Sequence, residues 1–313
     1  MNIQELSQLY AHMPQVAALA KVMGDKKSRN IFLDGLLASS AAMLFGSLTT
    51  KCNARILFIM QDANEAGYLY HDLTQILGDK RVLFFPSSYR RAVKYGQKDA
   101  ASEILRTEAL CEIKNEKLKN KKDSDGGHGN SLFIVSYPEA LAELVVSQKS
   151  MDNRMLTLAK DEEKPMEEIA STLRDFGFSE VDYVYEPGQF ARRGSILDVY
   201  SFSSEYPFRI DFFGDEIDTI RTFEVENQLS KDKCDSVTIV PELSQSAEDR
   251  IPILQFLPKD TMLCMKDFTY VCDTINKVYD EGFSQQALTE QTAGATEVEQ
   301  LEIMKRMRSE TQL

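Results

Sequence analysis

Gln189–Glu226 reads QFARRGSILDVYSFSSEYPFRIDFFGDEIDTIRTFEVE. At period two, Ser195 to Tyr200 alternates as a strand and Pro207 punctuates; Phe208 to Phe213 then makes a second strand that meets a third, Glu216 to Phe223, across Gly214-Asp215. A two-residue loop sets Phe212 opposite Ile217 and Ile210 opposite Thr219 on one side. It leaves Arg209, Asp211, Phe213, Glu216 and Asp218 on the other, with Phe213 among charges and near Arg209. The same register places Asp211 opposite Asp218, a repulsion that calls for a bridging cation or for stability conceded to binding. A large ring on a charged face is either the anchor of a partner or an aromatic covered by another segment of the chain. Arginine and aromatic residues dominate interface hot spots, whereas single exposed apolar residues are common. Pattern alone leaves both readings open.

GQFARRGSILDVY followed by YPFRIDFFGDEIDTIRTFEVENQLS resembles, in order over about forty positions, the second domain of the bacterial transcription-repair coupling factor (Mfd) family. That domain is similar in turn to the matching domain of the excision-repair protein UvrB. The resemblance implies a domain that recruits the UvrA repair ATPase. It carries the family's contact surface over to Arg193, Arg209 and Phe213, with Arg192, Asp211 and Asp218 as supporting residues. Within a full-length family protein, RNA polymerase and DNA are further implied partners, and ATP-driven translocation is implied only for parts not represented in this sequence.

The chain has 313 residues, 43% of them hydrophobic and 9% aromatic, enough for two domains with real cores. No run approaches the ~18 apolar residues of a membrane span, and MNIQELSQLYAHMPQV lacks the basic start and apolar stretch of a secretory signal. The expected location is the cytoplasm, with no membrane partner. Five scattered cysteines without CxxC spacing indicate neither a disulfide framework nor a zinc site. A formal net charge of −13 argues against broad contact with phosphate backbones.

Asn30–Leu33, Arg55–Met60, Arg81–Phe85 and Leu132–Val135 are short continuous apolar runs of the kind found in buried parallel strands, with Ala38–Leu48 and Glu65–Leu77 as crossover helices. This predicts an open α/β layer over roughly residues 25 to 150. A phosphate loop aligned from Gly35 puts its closing positions on Ser40, Ala41 and Ala42. The lysine, the second glycine and the magnesium-binding hydroxyl are absent, so Gly35, Ser39, Ser40 and Ala41 mark a degenerate site. Asp161-Glu162-Glu163 follows an alternating segment rather than an apolar strand and reads as a solvated turn into a helix, Met166–Phe176. His12, His71 and His128 lie far apart in sequence, so acid-base catalysis has little support, and no cofactor or metal is expected.

The expected fold class is α/β, an open parallel layer with an inserted α+β domain on a small antiparallel sheet; the resemblance implies that the layer is helicase-like, degenerate and of the UvrB first-domain type. The division is 1–150 for the first layer, 151–241 for the UvrA-binding domain, and 242–313 for a return segment (Ile251–Leu257, Met262–Met265) with a polar tail and a helix over Thr296–Arg308. PSSYRRAVKYGQKDAASEI, residues 86–104, replaces the long tyrosine-rich hairpin of UvrB; Arg90, Arg91 and Lys94 are candidate phosphate contacts against the reading of a solvated basic loop. Lys114–Asn130 reads as a mobile surface insertion. The sequence thus expects an interaction module without chemistry of its own, an N-terminal fragment of a longer family protein. The opposing class is an NTPase or helicase fragment that binds nucleotide and DNA.

Overall fold

A computed structural model describes residues 2–25, 30–78, 81–88, 100–119, 131–243 and 249–280. The basic cluster Arg90, Arg91 and Lys94, the glycine-rich end of the insertion and the polar C-terminal stretch with its expected helix lie outside them.

In chain order the first part contains α1 (Ile3–Ala11), α2 (Pro14–Gly24), α3 (Ser40–Leu48), β1 (Arg55–Ile59), α4 (Ala63–Leu77), β2 (Val82–Phe84), α5 (Ala100–Lys119), β3 (Leu132–Ser136), α6 (Pro138–Leu141), β4 (Val145–Val146) and α7 (Gln148–Asp152). The second contains β5 (Leu156–Ala159), α8 (Met166–Asp175), β6 (Ser179–Glu180), β7 (Gln189–Arg193), β8 (Ile196–Val199), β9 (Phe208–Phe213), β10 (Glu216–Phe223), β11 (Ser230–Cys234) and β12 (Ser236–Ile239). The return comprises β13 (Arg250–Ile251), α9 (Ile253–Phe256), β14 (Met262–Met265) and α10 (Phe268–Val278).

The apolar runs RILFI and LFIVS become β1 and β3, paired in parallel from Arg55–Leu132 to Ile59–Ser136 and buried almost throughout. The sheet order is β14-β1-β3-β2. Helix α4 starts where the Asp62 carboxylate accepts from the amides of Asn64 and Glu65, both at 2.9 Å, and it turns Ala66, Leu69 and Leu73 inward at helical spacing. Gly46 lets α3 approach α4: a Cβ there would lie 2.7 Å from Ile76 Cγ2. Edge-to-face contacts run from Phe45 through Phe58 to Phe133, at 4.9 and 5.5 Å between ring centres.

Two expectations for this layer fail. Asn30–Leu33 is not a strand: the place beside β1 is taken by β14, which pairs Ile56 with Met262 through Ile59 with Met265. Ile31, Phe32 and Leu37 stay exposed while Leu33 and, beyond the run, Leu36 pack on the core, so the run touches the body only at its end. The insertion also begins later than its lysine content suggested, because Lys114–Lys119 continue α5. Lys114 is buried and ion-paired with Asp152, and Arg106 lies 4.2 Å over the Phe85 ring while donating to the Pro86 carbonyl at 2.7 Å.

The second sheet runs β11-β10-β9-β8-β7-β6, antiparallel except for the short β6–β7 pair. One face carries Phe190, Leu197, Val199, Phe208, Ile210, Phe212, Ile217 and Ile220 into a core closed by Ile169, Ala170 and Leu173 of α8. The β5–β12 ribbon joins through Asp161 N to Ile217 O at 2.8 Å and Lys164 N to Asp215 O at 2.8 Å. Met151 belongs to the first core, and the second begins at Leu156. Ser201 Oγ accepts from Val240 N at 2.9 Å, and Phe202 N donates to Val240 O at 3.1 Å, clipping the chain that leaves β12 to the chain that leaves β8.

Candidate functional site

Two tight turns build the outer face of the second sheet. Gly194 (φ 61°) joins β7 to β8, and Gly214 (φ 65°) joins β9 to β10; a left-handed backbone at these points suits glycine. Alternation then turns Ala191, Arg193, Asp198, Arg209, Asp211, Phe213, Arg221 and Phe223 away from α8.

Asp198 sits at the centre of that face with no exposed side-chain surface. Arg209 donates to it twice, Nε to Oδ1 at 2.7 Å and Nη2 to Oδ2 at 2.8 Å, and Arg193 donates through Nη2 to Oδ2. Arg209 also donates from Nη1 to the Gln228 carbonyl at 3.1 Å and lies 4.4 Å over the Phe223 ring. Arg193 lies 4.7 Å over the Tyr183 ring. The hydrogen bonds to Asp198 hold the Arg209 guanidinium above even its usual high pKa. Side-chain exposure is 33% for Arg193 and 13% for Arg209. One cation is thus largely enclosed and the other is presented.

Phe213 is 83% exposed, at the end of β9 opposite Glu216. The β9–β10 register shifts at Asp218, so Ile210 faces Ile220 and Asp211 faces Thr219, rather than Ile210 facing Thr219 and Asp211 facing Asp218. The two acids do not confront each other. Asp211 accepts from Thr219 Oγ1 at 2.9 Å and from Arg221 Nη2, and Asp218 is exposed at the bulge. No bridging cation is called for.

Residues 156–244 match the family model of the UvrB interaction domain. That segment is therefore similar to the UvrB interaction domain. Over a wider span the chain is similar to the transcription-repair-coupling factor of Bacillus subtilis (strain 168), at 28% identity over 209 residues, 67% of this chain and 17% of that protein. Its counterpart in Haemophilus influenzae is 26% identical over 220 residues, 70% of this chain and 18% of that protein. With Escherichia coli (strain K12) the identity is 28% over 139 residues, 44% of this chain and 12% of that protein. The chain therefore spans between 12% and 18% of the length of these relatives.

Within the segment that matches this family, Arg192 and Arg193 are neighbours in sequence but lie on opposite faces. Arg192 turns toward α8, donating from Nε to Glu180 Oε1 at 2.7 Å and pairing with Glu167; Arg174 joins the same two carboxylates at 3.1 and 2.9 Å. Hydrogen bonds from Arg174, reinforced by Arg192, hold both Glu167 and Glu180 below the ordinary carboxylate range. The structure thus brings Arg193, Arg209, Phe213 and Asp211 onto one face and leaves Arg192 off it. Asp198 and Tyr183 were missed from sequence. The available signal was an acid in the alternating strand ILDV, at a position that shares a face with Arg193.

Among the described residues no strand precedes the region aligned with a phosphate loop. Gly35 (φ 80°) and Ala38 (φ 47°) shape an irregular turn, and Ser40 Oγ accepts from the Leu37 amide at 2.8 Å, where α3 begins. Ser39 is exposed, and Ser40 and Ala41 are half-buried. Asp161 (φ 62°) turns the chain after β5, and Glu162 Oε2 accepts from Ala159 N at 2.9 Å, which gives that carboxylate a structural partner. Among the described residues no group of three or more His, Cys, Asp or Glu side chains is placed to hold a metal ion, and no helix is long and apolar enough to cross a membrane. Burial pushes the Cys111 thiol up to about 12 and that of Cys264 to about 11, leaving both protonated at neutral pH.

Proposed function

We propose that the outer face of the UvrB interaction domain recruits UvrA, with Phe213 as its anchor and Arg193 and Arg209 as its cationic frame, and that the chain serves transcription-coupled nucleotide excision repair through this contact. The observation that carries the reading is the Phe213 ring, 83% exposed on a face whose arginines and aspartates are ion-paired. A benzyl group held in water at the end of a well-packed strand gives nothing to its own fold. It acquires a purpose when a partner covers it, and arginine beside it fits the composition of interface hot spots. The family match and the similarity to transcription-repair-coupling factors support the same reading.

In this proposal residues 151–241 form the recruiting domain, inserted between a first layer over 1–150 and a return segment from 242 onward. The described part performs no chemistry. RNA polymerase and DNA are engaged by other parts of a longer protein, which also supply ATP-driven translocation, and the chain works in the cytoplasm. The region around Gly35, Ser39 and Ser40 acts as scaffold only.

Titration of purified UvrA against the wild-type chain and Phe213→Ala tests the reading, with circular dichroism as a folding control. The ring is exposed, so the variant should fold and melt as wild type while affinity falls by about 2 kcal/mol or more. Equal affinities would defeat the proposal. Saturable micromolar ATP binding that disappears on changing Ser39 or Ser40 would favour the nucleotide-binding class instead.

A further inference from the structure

We infer that Asp198 is a positioning residue of the docking face, fixing two guanidiniums as a pre-aimed cationic pair for a partner surface that sets carboxylates around an apolar socket. This rests on the docking reading above and adds the mechanism by which the face is organised and the chemistry that it selects.

Asp198 is wholly buried, yet both of its cationic partners reach the outer surface. Two arginines on one aspartate leave a net positive charge, with the anion beneath and the cations above. The adjacent Asp211–Arg221 pair is neutral, and the exposed carboxylates Glu216 and Asp218 stand at the turn end of the β9–β10 hairpin. Each guanidinium is held by the same carboxylate and by an aromatic ring of its own, Tyr183 under Arg193 and Phe223 under Arg209. Such double restraint removes rotamer freedom before a partner arrives, which is how pre-organisation lowers the cost of association.

The two arginines divide the work. Arg209 engages Nε, Nη1 and Nη2 with Asp198 and Gln228 and is mostly enclosed, so it acts chiefly as a buttress. Among the described residues Arg193 has one hydrogen bond, to Asp198, so most of its five N–H donors can meet an incoming carboxylate. The rest of the chain carries a strong negative excess. An acidic partner group is therefore drawn to this pair of arginines on a chain whose net charge is negative, which favours one orientation of docking.

The test is Asp198→Asn, with purified UvrA as the probe. The substitution raises the local charge, so if net charge alone governed binding an acidic patch would bind tighter. Loss of positioning predicts the opposite: affinity reduced on the order of tenfold, despite the added positive charge. Unchanged or tighter binding by a folded Asp198→Asn chain overturns the inference. Where that variant does not fold, Arg193→Lys and Tyr183→Leu decide. The first keeps the charge but loses the planar fork, and the second removes the ring beneath Arg193; each should weaken binding several-fold, and wild-type affinity in both overturns the inference. Phe213→Ala separates the two levels. If it weakens binding while the positioning variants do not, docking stands and positioning fails; if none of the variants changes binding, docking itself fails.

Discussion

Arg192 and Arg193 are consecutive residues of one strand, and the ion pairs that they enter behave as opposites. Arg192 joins Arg174, Glu167 and Glu180 in a balanced quartet at the water-facing margin between α8 and the sheet. Arg193 joins Arg209 on a single carboxylate with no exposed surface. In the quartet every charge keeps access to water, so each contact is weakened by solvent and gains little beyond the hydration it replaces. In the triad the anion has lost its water entirely and depends on its two cations. The comparison shows that burial of the anion separates a clamp on a helix from a frame for a binding face, whereas the types of residue involved do not.

The largest effect should come from the buttress of the triad. Arg209→Ala leaves Asp198 buried with one cation in place of two and removes the contact over Phe223, and it should cost about 3 kcal/mol of stability in urea unfolding. Arg192→Ala should cost under about 1 kcal/mol, because Arg174 still serves both glutamates. Similar losses for the two variants would break the contrast. Measuring both at 0.5 M salt sharpens it: screening should erase most of the Arg192 effect and little of the Arg209 effect.

Much of this architecture could be read before any coordinates. Strands β1 and β3 are apolar at nearly every position because both faces are covered, and β9 alternates because one face is open. The bulge at Asp218 escaped because a uniform period of two was imposed on EIDTIRTF. Ile217 and Ile220 stand three apart, and two core-facing residues at that spacing in one strand require an extra residue between them. Helix α5 went unread because its inward side includes Glu103, Arg106, Thr107 and Lys114, polar residues that a count of apolar positions passes over. Asn30–Leu33 failed for a nonlocal reason, since the place beside β1 went to a segment some 230 residues later in the sequence. At the candidate site, the arginine and phenylalanine positions follow from alternation and resemblance. The part played by Asp198 does not, because it depends on two strands from either side converging on one carboxylate.

Acid separates the quartet further from the triad. Glu167 and Glu180 titrate below their ordinary value of 4.5 in the folded chain, chiefly because Arg174 donates hydrogen bonds to both. A carboxylate whose folded pKa is depressed releases its proton more readily in the native state than in the unfolded one. Its stabilising contribution is therefore complete above 4.5 and is lost as pH falls through the lower folded value. The difference in unfolding free energy between wild type and Glu167→Gln should accordingly stay constant from neutral pH down to about 4.5 and shrink below it. Because these side chains are open to solvent, the difference should also be small and sensitive to salt throughout. A difference that grows as the solution is acidified would mean that Glu167 is a burden on the folded state, and the α8 clamp would have to be assigned to packing alone.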